Sequence, residues 1–194
     1  MPDSVLQKFE QETGIKVVYA TYDSNELMYS KLKLQRGEGY DIIVPSAYYI
    51  QKMSKEGLLM ELDHEKLANL TNIQPYLLNQ EYDKGNKYSV PYMWGAAIMA
   101  YNEKYIDGKN ISSWNDLWNS DFAGKVLLQN DMREVFQMAL MLLGYDGNST
   151  NEEEIQAAYE KLSTLVTNVR VFNSDSPKLP FINEEVYIGL LWTG

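Results

Sequence analysis

Asp131 and Glu134 stand three residues apart at the start of a helical stretch, which puts both carboxylates on one side of its first turn. Two uses fit that spacing. An Asp at the N-cap with a Glu at N3 closes a capping box. Left free, the same pair is a candidate functional site, with Arg133 between them to offset part of the charge. A glycosidase acid–base pair is a weaker match, because such carboxylates flank the scissile bond from opposite sides of a cleft. Ser46, Tyr48 and Tyr49 follow the apolar run at 41–44 through Pro45. In an open α/β sheet, ligands sit in the crevice beyond the strand C-termini, so these hydroxyls are also site candidates. Ser46 is equally well placed to cap the helix that follows it. Two adjacent tyrosines point to different sides of a helix, so at most one lines a site while the other packs. Trp192 follows an apolar strand at 186–191, which suits either the crevice or the core.

Other chemistry is excluded by what the sequence does not carry. It has no cysteine and one histidine, His64, which stands in the polar helix start Asp63-His-Glu-Lys and reads as a surface residue. That removes disulfide frameworks, thiol catalysis, multi-His metal sites and a Ser-His-Asp triad. Gly37-Glu-Gly39 lacks the spacing of a phosphate-binding loop. No catalytic residue, metal or cofactor is therefore expected. The formal net charge of −10 argues against nucleic acid and anionic membranes as partners and in favour of cations. Fifteen tyrosines and four tryptophans beside many carboxylates suit an organic cation with an apolar body.

The elements that must position these residues alternate between helical and strand-like periods. Helices are predicted at 4–12, ended by Gly14, and at 25–35 with Ser24 or Asn25 as cap. A third runs from Ser46 to Gly57. Strands are predicted at 15–20 and 41–44. The aromatic segment 88–101 breaks the alternation and reads as an extended link between two sub-structures. Beyond it come a short helix at 113–118, helices at 131–143 and 151–166, and strands at 125–129, 169–172 and 186–191. Such alternation predicts an α/β fold with a parallel sheet covered by helices. The acidic run Glu152-Glu153-Glu154 suits a helix first turn, where the dipole favours it. Trp114 and Trp118 frame the short helix and are read as packing residues. No run of 18 apolar residues occurs.

Six segments together carry a resemblance. They are Glu12-Thr-Gly-Ile-Lys-Val-Val18, Tyr40-Asp-Ile-Ile-Val-Pro-Ser46 with Tyr48-Tyr49, Tyr88-Ser-Val-Pro-Tyr-Met-Trp-Gly95, Ser113-Trp-Asn-Asp-Leu-Trp118, Arg133-Glu-Val-Phe-Gln-Met-Ala139 and Phe172-Asn-Ser-Asp175. The first two alone indicate the wider type II solute-binding family. The Arg-Glu-Val-Phe-Gln block with Asp131 resembles its polyamine branch, the spermidine/putrescine-binding proteins of bacterial ABC transporters.

The resemblance implies a two-lobe periplasmic-binding-protein-like fold. The lobes would be 1–95 and 96–194, with hinge strands near 90–101 and 190–194. Ser46 and Tyr48 would line the cleft from the first lobe, Asp131 and Glu134 would hold an ammonium end from the second, and Trp192 would stack on the methylene stem. A polyamine would be the ligand, and a membrane permease with its ATPase the partners. The location would be periplasmic, or extracellular and lipid-anchored. The pattern in that family also has a strand before the point matching Val5 and a long continuation past Trp192. The chain is therefore expected to be a fragment with an incomplete first lobe, prone to self-association. The alternatives are a type II binding protein for another small solute, or a fragment that binds no ligand.

Overall fold

The computed structural model describes residues 2–193. Four strands form one sheet: β1 (Ala97–Tyr101), β2 (Val126–Leu128), β3 (Val169–Phe172) and β4 (Ile188–Trp192), in the order β1-β4-β2-β3. β2 runs parallel to both β3 and β4, as βα alternation requires. β1 runs antiparallel to β4, with Ala97 opposite Trp192 and Tyr101 opposite Ile188. The expected α/β class holds, and the sheet is mixed because the linking segment enters it as an edge strand.

Helices are designated in chain order: α1 (Asp3–Thr13), α2 (Asn25–Leu34), α3 (Ala47–Lys55), α4 (Met132–Leu142), α5 (Glu152–Leu165) and α6 (Leu179–Ile182). α4 and α5 cover one face of the sheet. Val126, Leu128, Ile188 and Leu190 meet Val135, Met138 and Leu165 in the main core, with Leu117 and Phe122 closing it. Ala139, Leu140 and Ala158 form a small contact zone between α4 and α5. Trp114 and Trp118 pack against the main core as expected. The Trp118 indole N–H also donates to the Lys161 carbonyl and the Thr164 hydroxyl on α5. Asn151 caps α5, and Glu152, Glu153 and Glu154 fill its first turn.

The first half differs from expectation. α2 and α3 pack around Met28, Leu32, Tyr49 and Met53. The segments 15–20 and 41–44, predicted as strands, are extended but join no ladder among the described residues. Val18 is 89% exposed and Ile42 82%. Strand pairing supplies the backbone hydrogen bonds and side-chain contacts that stabilise such runs, and among the described residues neither run has a strand beside it, although Ile43 packs on the α2–α3 core. α1 forms where periodicity predicts it and ends at Gly14 in the left-handed conformation, yet buries none of its residues. Within 88–101, only Ala97–Tyr101 is in the ladder.

Candidate ligand-binding site

β2 ends at Leu128, and three residues later Asp131 opens α4 at the C-terminal edge of the parallel strands. Its Oδ1 accepts the backbone N–H groups of Arg133 at 3.0 Å and Glu134 at 3.3 Å, so Asp131 is an N-cap. The cap does not exhaust the carboxylate. Asp131 is 4% exposed, and its oxygens also accept from three side chains of the first half of the chain. These are Asn25 Nδ2 at 3.3 Å, Ser46 Oγ at 3.5 Å and the Tyr48 hydroxyl at 3.3 Å. The structural and functional readings of this residue therefore coincide. Charge at this point is offset by the helix N-terminus and by these donors rather than by water.

Ser46 occupies the N-cap position of α3 but makes no side-chain cap. Its hydroxyl is turned away, receiving Asn25 Nδ2 at 2.9 Å and reaching towards Asp131. The two tyrosines divide as anticipated. Tyr49 is buried in the α2–α3 core, while the Tyr48 hydroxyl faces Asp131. Burial, with the charges of Asp131 and Glu26, raises the Tyr48 phenol well above its ordinary value. Burial and the Glu26 carboxylate push Tyr49 up to about 12. Both phenols therefore stay protonated at neutral pH, and Tyr48 acts as a donor. The Arg133 guanidinium lies 5.1 Å from the centre of the Tyr48 ring.

Glu134 does not return to close a capping box. It is half-buried and accepts a hydrogen bond from the Trp192 side chain, whose indole N–H is its only donor. Burial first, and the Asp131 charge second, raise its carboxyl above the usual carboxylate value, while the Trp192 bond pulls the other way. Trp192 ends β4 opposite Ala97, so this contact sits where the two crossing strands meet.

Of the residues singled out in the sequence, Ser46, Tyr48 and Asp131 share one hydrogen-bonded cluster, and Glu134 with Trp192 adjoins it. Sequence reasoning missed Asn25, which is 9% exposed and bonded to Ser46 and Asp131. Ser24 caps α2 by accepting from Leu27 N–H, which releases the Asn25 amide for other use. A second polar residue directly after a competent cap was the available signal. Asn130 adds a further link across the halves, with Nδ2 3.5 Å from the Asp23 carbonyl. His64 is exposed, and its ring Nε2 lies 2.9 Å from the Asn86 carbonyl. A depression of about 430 Å³ over Glu103–Gly108 shares no residue with the cluster.

A buried polar cluster beyond the C-terminal ends of parallel strands lies where an open α/β sheet holds a ligand, and here it joins two parts of the chain. The chain belongs to the bacterial extracellular solute-binding protein family, to which residues 4–194 match. It is 50% identical over 194 residues to the spermidine/putrescine-binding periplasmic protein of Salmonella typhimurium, covering all of this chain and 56% of that one. The fold matches a Listeria monocytogenes protein described as a spermidine/putrescine ABC transporter, with a TM-score of 0.91 and 39% identity. That match covers 100% of this chain and 60% of the other. It also matches a Treponema pallidum lipoprotein at TM-score 0.85 and 34% identity, covering 97% and 59% respectively. The chain thus spans little more than half the length of these relatives.

Proposed function

We propose that this chain belongs to an extracytoplasmic binding protein that captures polyamines such as spermidine or putrescine between two lobes, 1–95 and 96–194. The lobes close around the ligand by bending where β1 and β4 cross, and the complex docks on a membrane permease driven by an ATPase. The observation that carries this reading is the Asp131 carboxylate, buried at 4% exposure and held by donors from the opposite half of the chain. Polyamine nitrogens stay protonated at neutral pH, as lysine does, and need carboxylates spaced along an apolar stem.

In this reading Asp131 and Glu134 take an ammonium end, Ser46 and Tyr48 offer oxygen acceptors from the first lobe, and the Trp192 ring covers methylene groups. Each charge-assisted contact is worth about 1.5–3 kcal/mol, so loss of one costs about tenfold or more in affinity. The names of the relatives place those proteins in the periplasm or on a lipid anchor, which supports the same side of the membrane here. No helix among the described residues is long and apolar enough to cross a membrane. A calorimetric panel of spermidine, putrescine, maltose and citrate tests the reading, run on this chain and on one lengthened at both ends to span its relatives. Polyamine binding alone supports it. Binding of maltose or citrate instead moves the chain to another solute class.

A further inference from the structure

We infer that Asn25 is the positioning residue that couples approach of the two halves to the orientation of Ser46 and Tyr48, standing in for the ligand's ammonium while the site is empty. The inference rests on the proposed clamp around a cationic solute. Asn25 holds Ser46 at two points. Its Oδ1 accepts the Ser46 backbone N–H at 3.0 Å, and its Nδ2 donates to Ser46 Oγ at 2.9 Å. This grip explains why Ser46 leaves the α3 N-terminus without a side-chain cap. The same Nδ2 lies 3.4 Å from the Tyr48 hydroxyl and 3.3 Å from Asp131 Oδ2.

A primary amide has two N–H donors, and here three acceptors surround it. The contacts therefore compete. One N–H joins the backbone and hydroxyl donors around the buried Asp131 carboxylate, as an ammonium N–H would. When an ammonium takes Asp131, the amide falls back on Ser46 and Tyr48 and holds them ready as acceptors. An amide suits this exchange and a carboxylate does not. An Asp at position 25 could still accept the Ser46 N–H, but it would set a second negative charge against Asp131.

The test uses the absence of native cysteine, which makes paired labels clean. Glu38→Cys and Glu153→Cys, both exposed and one in each half, carry spin labels for distance measurement without ligand. The unsubstituted background should give a short, narrow distribution. Asn25→Ala and the isosteric Asn25→Asp should both lengthen and broaden it, with the melting temperature of Asn25→Asp holding as evidence of folding. In an Asp131→Asn background, Asn25→Ala should add no further change. With spermidine, Asn25→Ala should weaken binding about tenfold. Distributions unchanged in both Asn25 variants, or effects of Asn25 and Asp131 that simply add, would overturn the inference. A chain whose distances respond but which binds no polyamine would overturn the proposed ligand and leave the role of Asn25 intact.

Discussion

Glu134 should carry the pH dependence of binding. Its carboxyl lies above its ordinary 4.5 because burial and Asp131 disfavour the charged form. A cationic ligand binds the ionised form, so affinity should fall as the solution is acidified through that raised value. Glu134→Gln should flatten the profile, as measured by calorimetric titration across mildly acid to neutral pH. Stability without ligand runs the other way. An acid raised on folding favours the folded state at low pH, and that contribution is lost as pH rises through the raised value. The apo chain should therefore melt lower at neutral than at mildly acid pH at this site, and Glu134→Gln should remove that component of the difference. At this scale the sequence was informative where residue type and spacing agree, as for Asp131 with Glu134. It was ambiguous for Ser46, whose cap position is real but whose hydroxyl is drawn off by a partner 21 residues away. The one local hint of that partner is a polar residue directly after the Ser24 cap, and nothing in the spacing ties it to Ser46.

Among the elements, the second half was legible almost residue by residue. The run at 169–172 is β3, and the helices predicted at 131–143 and 151–166 are α4 and α5 within a residue or two at each end. Their periodicity is satisfied by a core that lies within the same half. The runs at 15–20 and 41–44 have the same β-branched and apolar content but find no ladder, because a strand is defined by its neighbour as much as by its own residues. Gly189 sits at a close approach of β4 to β2. A Cβ there would clash with the Leu127 backbone carbonyl between β4 and β2. Gly189→Ala should lower stability by about 1–3 kcal/mol in urea unfolding. An unchanged midpoint would mean that the two strands can separate without cost. Gly95, whose Cβ would lie 2.5 Å from the Thr193 carbonyl, guards the other end of the crossing.

For the whole molecule, exposed apolar groups matter most. Val5, Phe9, Ile15, Val18, Leu27 and Ile42 are all exposed and all belong to the first half. Exposed apolar area of this kind drives association. Light scattering over a range of concentrations should show this 194-residue chain self-associating, and a clean monomer throughout would contradict that expectation. The most direct measurement is calorimetric titration of spermidine into the chain lengthened to the span of its relatives, with and without the paired change Asp131→Asn and Glu134→Gln. The account predicts binding in the first and a loss of at least about a hundredfold in the second, from two charge-assisted contacts. Equal affinity in both would contradict the assignment of these carboxylates as the ammonium seat.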